Sequence, residues 1–471
     1  MKLIGYEWWK IGTKRLLYWF VPLLLVGNVW LYVQEQFRTH RDLIAYKSDY
    51  MQLVQELSQV SVEEAAGILE KRSIRLLALT LMRDQGHPAF RSQLEDLLAE
   101  HPELLEILAD DPYRHDEEQL RKDRFLTYLL SERVQAILTY DDYLEGIRQQ
   151  AETLQSVSIF QDAHSFAYRN IRRTPEDFRH LRGIPLQLGP DDGVVSVARH
   201  RAADLFAAAA VFLLCTYLFL HEKETLPLTR VTARGRVPVI AAKLAVLIAS
   251  TIALSALFYG STLLAARHLY GFGDLGRYIQ SIAAFQQSNL LMTVGQFLAA
   301  LFAVKTVALM LLALIVAALA VFFHRPGAVY LCAAAFLGAS GIAYTTIHPF
   351  SYLNGLKYIN LFAFFDGFRL LGEYRNLNVF GYPFDRIRIS AACAGLLFLV
   401  LTVLAVWLYA HRFPSGADGV LQRLWLAMKG RLLVRYRYSI RIWSHEWFKA
   451  LAAARGYPVL IIAAAIGYSF L

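Results

Sequence analysis

Charge is scarce in this sequence. Asp, Glu, Lys and Arg make up 18% of its 471 residues, against roughly 25% in an average soluble domain. Cysteine is scarcer still: Cys215, Cys332 and Cys393, each set in an apolar run. With no cysteine in a polar segment, the placement argues against a disulfide scaffold, and the spacing matches no zinc or haem site. The three read as small apolar helix residues. Catalytic signatures are missing too. There is no G-x-x-x-x-G-K-[ST] phosphate loop and no G-x-S-x-G or H-E-x-x-H. The histidines show no ligand spacing. The chain is therefore read as a non-enzyme with no metal, cofactor or catalytic residue of its own.

What abounds is apolar sequence. Hydrophobic residues account for 56% of the chain, and the mean hydropathy is +0.35. The excess lies in long runs without charge, which excludes a single soluble domain. Six runs are long enough to cross about 30 Å of hydrocarbon at about 1.5 Å per residue. They cover approximately 16–33, 203–220, 239–266, 297–323, 327–347 and 389–410. The first is followed by "YVQEQF", with no small-residue cleavage site, and reads as an uncleaved anchor. The predicted class is an all-α polytopic membrane protein with six transmembrane helices.

The formal charge of +9 is assigned to loops rather than to nucleic acid, which is not expected as a partner. Residues 1–15 carry Lys2, Lys10, Lys14 and Arg15. The loop after the second run carries Lys223, Arg230, Arg234, Arg236 and Lys243. Nine more basic residues fall between 411 and 455. With six spans these segments share one side, which the positive-inside rule makes cytoplasmic. The opposite loops, 267–296 and 348–388, hold seven. Lys305 within the fourth run is expected to snorkel to the outer interface, and Asp204 to be interfacial.

This arrangement puts residues 34–202 outside the cell. The segment is polar and patterned for helix. "SVEE", Ser61 to Glu64, is a capping box. "TPEDF" places Pro175 and two acids after Thr174, a helix start. "LGPDDG" at 188–193 returns to the membrane. The aromatic and Asn-rich segment 348–388 reads as an interfacial or re-entrant helix packed on the bundle.

Two segments on the basic side are candidates for mechanism. "MKLIGYEWWKIGTKR" is short, basic and aromatic, an interfacial elbow helix ahead of the first span; its marked residues are Glu7, Trp8, Trp9 and Lys10. Glu7 is placed to pair with a basic residue of the neighbouring loop, an exposed pair of little energetic weight. The second segment, 221–238, runs from Glu222, Lys223 and Glu224 through the helix breaker Pro227 to Arg230, Arg234 and Arg236. It suits docking of a soluble partner. A plain positive-inside loop would satisfy the same composition.

The loop resembles the permease subunits of type-2 ABC exporters, through Glu222, Glu224, Thr232, Gly235, Arg236 and Lys243. Two further stretches are similar to a Gram-positive branch of that family. One is 156–178, with Ser158, Ile159, Phe160, Asn170, Ile171 and Thr174. The other is 356–385, with Lys357, Tyr358, Asn360, Tyr374, Asn376, Asn378 and Gly381 among its matches. The resemblance implies a coupling helix in 221–238 that docks on an ABC ATPase subunit. It also implies a second permease module or a homodimer, and a bacterial plasma-membrane location with the N-terminus cytoplasmic. The implied activity is export of an amphipathic or hydrophobic substrate, such as a peptide antibiotic or lipid. The rival class is a membrane sensor acting through residues 34–202 without transport.

The elbow signature recurs near the end, as Glu446, Trp447, Phe448 and Lys449. Residues 411–443 are too basic to span and read as a cytoplasmic connector. The stretch 444–471 is expected to begin a second module.

Overall fold

The structure, a computed structural model, describes residues 2–411 apart from 84–87, 110–112, 114–115, 222–231, 233–234, 324–325, 350 and 352. The basic connector 411–443 beyond its first residue and the repeated elbow 444–471 lie outside the described residues.

Six helices are long and apolar enough to cross a membrane. They are Arg15–Thr39, Ala202–Leu220, Val237–Leu269, Val294–Phe323, Pro326–Thr346 and Arg386–His411, here the first to sixth spans. This is the architecture of a multi-pass, all-α membrane protein. The fourth span is the most apolar and packs against the second, third, fifth and sixth. Its most apolar stretch is 72% buried, against 11% in the first span and 17% in the sixth. The fourth is thus the hub, and the first and sixth are peripheral. The second span ends in a single π turn, Thr216–Leu220. The third carries Pro238 in its first turn, where a missing N–H is harmless.

Between the first and second spans the chain is helical. Ser61 and Glu64 form the reciprocal capping box: Glu64 N donates to Ser61 Oγ at 3.2 Å and Ser61 N to Glu64 Oε2 at 3.3 Å. The helix they open, Val62–Arg83, buries Ala65 and Leu69 with Leu53 and Val54 of Lys47–Leu57 and Leu126, Leu130 and Val134 of Glu117–Leu138. The helix start expected at Thr174 is overturned. Phe166–Phe178 begins earlier, where Ser165 Oγ accepts from Tyr168 N at 3.1 Å, and Pro175 lies inside it. The stronger cap upstream sets the boundary, and the proline is absorbed near the far end.

The segment before the sixth span is more varied than one interfacial helix. Three short helices, Asn354–Tyr358, Leu361–Phe365 and Gly367–Gly372, lead into an antiparallel hairpin. Its strands, β1 (Asn376–Val379) and β2 (Tyr382–Asp385), pair Asn376 with Asp385 and Val379 with Tyr382. Phe380 and Gly381 form the turn, both with positive φ (52° and 83°), as a two-residue primed turn demands. Arg169 Nη1 donates to the Gly381 carbonyl at 3.1 Å and Arg173 Nη1 to the Pro383 carbonyl at 3.0 Å. Two of the three stretches on which the family resemblance rested, 156–178 and 356–385, are therefore packed together.

The return loop is pinned by buried charge. Arg277 Nη1 donates to Asp191 Oδ1 at 2.8 Å and its Nη2 to the Pro190 carbonyl at 2.7 Å. Arg133, from the inserted helices, reaches Asp192 at 2.5 Å. Arg277 is 2% exposed, so these bonds hold the inserted helices, the return loop and the connection after the third span as one packed unit.

Candidate functional site

The elbow is a real helix, Lys2–Gly12, and it is amphipathic. Trp8 and Trp9 are exposed, while Glu7 is 5% exposed and points inward. Lys10 lies one turn on and donates to Glu7 Oε2 at 3.0 Å. The decisive partner comes from the third span: Lys243 Nζ donates to Glu7 Oε2 at 3.1 Å. Lys243 is 1% exposed. Its ammonium also donates to the Leu218 carbonyl at 3.0 Å. The last carbonyls of a helix lack intrahelical partners and favour a cation, and Leu218 lies in the π turn that closes the second span. One buried lysine thus joins the elbow helix to the second and third spans.

The expectation of an exposed, weak Glu7 pair is corrected here. The pair is buried because the elbow lies on the third span, not beside solvent. The junction sits at the foot of the 221–238 loop, since that loop connects the very ends joined by Lys243. Of the predicted loop residues, Glu222, Glu224, Arg230 and Arg234 lie outside the described residues. Arg236 is described: it is exposed and immediately precedes the third span. Gly235 N donates to the Thr232 carbonyl at 3.0 Å.

A second polar centre lies within the bundle and corrects one further expectation. Lys305 does not reach out to solvent but pairs inside the bundle with Asp204, which lies in the first turn of the second span. Lys305 Nζ donates to Asp204 Oδ1 and Oδ2 at 2.8 and 2.7 Å, and Tyr259 OH donates to Asp204 Oδ1 at 2.8 Å. Lys305 is 3% exposed. The second, third and fourth spans each contribute one group. Sequence carried a signal for this pairing: Asp204 is the lone charged residue of the second span and Lys305 that of the fourth. Two lone opposite charges in neighbouring apolar helices have few ways to be satisfied other than by each other.

The first span joins through polar groups that the sequence reading passed over. Asn28 Nδ2 donates to Thr262 Oγ1 at 3.0 Å, and Asn28 Oδ1 lies 3.2 Å from His200 Nε2. The other ring nitrogen of His200 is 3.1 Å from Glu35 Oε2. Tyr32 OH and Ser196 Oγ are 2.7 Å apart. A cavity of about 50 Å³ lies among His200, Tyr259, Thr262 and Lys305, room for a few waters at most. The arrangement holds helices in register; it has no volume for a bulky substrate.

Among the described residues no group of three or more His, Cys, Asp or Glu could hold a metal ion. All three cysteines are free. Comparison with known protein families, with curated proteins and with solved structures found no match.

Proposed function

We propose that this chain is the membrane subunit of an ATP-driven exporter of the type-2 ABC class, with ATP hydrolysis in a separate subunit. In this reading the N-terminus and the 221–238 loop are cytoplasmic, residues 34–202 lie outside a bacterial plasma membrane, and two permease modules enclose the pathway. The substrate class is amphipathic or hydrophobic, by resemblance to the family. The observation that carries the reading is the buried Lys243 junction. A docking loop does mechanical work only if its displacement reaches the helices. Lys243 and Glu7 tie the elbow and two spans together where that loop emerges, so a push on the loop moves them as a unit.

The test reverses the charge of Arg234 and Arg236 to Glu. Truncating one partner of a desolvated interface pair costs on the order of 2–5 kcal/mol, so ATPase co-purifying with the variant should fall at least about tenfold. Membrane insertion should persist, because other basic residues still mark that side. A reporter fused after Asp111 should read outside. Equal ATPase recovery by variant and parent, or a parent chain that brings no ATPase from membranes, overturns the proposal.

A further inference from the structure

A polar cavity of about 260 Å³ opens where the fifth and sixth spans meet the short helices between them. Lys357, Arg369, Arg375 and Arg386 line it, against only two acids, Asp366 and Glu373. The acids are already engaged with Arg369, whose Nε lies 3.8 Å from a carboxylate oxygen of each. Asp366 also accepts from Tyr344 OH at 2.5 Å. The other three cations form no ion pair with a carboxylate of the described residues. Lys357 donates to the Ile347 carbonyl at 2.9 Å. Arg375 donates to Tyr358 OH. Arg386 is 4% exposed and donates to the carbonyls of Arg369 and Glu373, while its Nε–H has no partner.

A buried cation without an anion is costly, and Arg386 is one, while Lys357 and Arg375 are half-buried. Arg386 is worse placed than most, because it opens the sixth span, where the helix dipole repels positive charge. Burial, with Arg369 and Arg375 nearby, holds Lys357 below its usual lysine value. An anion in the cavity would relieve all of these at once, and guanidinium groups fit the oxygens of a phosphate well.

Position identifies the source of that anion. Tyr344 is in the last turn of the fifth span and Arg386 is the first residue of the sixth. The cavity therefore sits at the rim of the apolar layer. Ile342, Leu353 and Leu356, close in sequence to the lining residues Tyr344 and Lys357, are exposed, 62%, 59% and 58% respectively. A soluble anion has no use for that apolar apron, whereas acyl chains do.

We infer that this cavity binds the phosphodiester headgroup of an anionic phospholipid, with Lys357, Arg375 and Arg386 as its charge partners. The inference does not depend on the exporter reading. The test titrates the full chain in detergent with phosphatidylglycerol, phosphatidylcholine and sn-glycerol 3-phosphate, and counts bound molecules by native mass spectrometry. Phosphatidylglycerol should be retained about tenfold more strongly than phosphatidylcholine, whose phosphodiester is offset by a choline cation set against Lys357, Arg375 and Arg386, a difference on the scale of one charged contact. K357Q/R375Q should erase that preference, while R148Q, on the inserted helices, should not. If the double variant fails to fold, K357Q alone, which loses one hydrogen bond to the protein, should still reduce the preference. Equal retention of the two lipids, or a preference unmoved by K357Q, overturns the site. Glycerol phosphate bound as tightly as the lipid overturns the lipid assignment.

Discussion

Glu7→Gln should destabilise the protein more than Lys243→Met, although both break the same ion pair. The reason is what each change leaves behind. Glu7→Gln removes the carboxylate that the Lys243 and Lys10 ammonium groups share, and Lys243 is 1% exposed. A buried charge that loses its counter-ion costs about 3–5 kcal/mol. Lys243→Met leaves the Glu7 carboxylate with Lys10 at 3.0 Å, so the cost should fall toward the about 1–3 kcal/mol of a lost charged hydrogen bond. The double variant Glu7→Leu/Lys243→Met removes both charges and should recover much of the loss, since an apolar replacement of a buried pair is often near neutral. The assay is thermal unfolding of purified protein in detergent, arranged as a double-mutant cycle. Equal stability of Glu7→Gln and the parent, or additive losses in the double variant, would show that the pair is not buried and coupled as described.

In the bundle, Asp204→Asn should cost about 3–5 kcal/mol, because Lys305 is left buried beside a neutral amide; denaturant unfolding should show that loss shrinking when Lys305→Met is added. At the return loop, Gly193→Ala should destabilise by about 1–3 kcal/mol, since a Cβ there would lie 2.5 Å from the Gly271 carbonyl oxygen. A protease-resistance midpoint equal to the parent's would refute it.

What sequence could reveal depended on the range of the signal. Span-length apolar runs are local, and the six helices match them to within three residues at every end but one, the first helix running on from 33 to Thr39. The Ser61–Glu64 box is local too and closes as its four residues dictate. Thr174–Pro175 is the same kind of signal and misleads, because Ser165 had already capped that helix. The hairpin was hidden by its strands of four residues each, one holding Pro383, too short for an alternation to register. Burial of Glu7 was out of reach for a different reason. Its partner lies 236 residues away, and nothing in the composition of either segment says which face of the elbow turns inward.

The third span links these separate observations. It has 33 residues, a rod of about 50 Å. Near its start Lys243 holds the elbow and the second span. Further along, Tyr259 reaches the Asp204–Lys305 pair and Thr262 receives Asn28 of the first span. At its far end the His268 carbonyl accepts from Lys47 at 2.5 Å, and the following Tyr270 donates to Gln36 at 3.0 Å. Each contact is buried or specific, and together they bind one helix at both ends and in the middle. Its backbone ladder carries no proline after Pro238, and its one Gly–Ser step, Gly260–Ser261, a place where a helix can kink, falls between Tyr259 and Thr262. On the proposed reading, movement imposed where Arg236 meets Val237 would reach the Asp204–Lys305 centre along this helix, and the Gly260–Ser261 step is where the helix could bend before the inserted helices. That mechanical continuity is independent of what drives the loop, and it is what an ATPase-coupled membrane subunit would require.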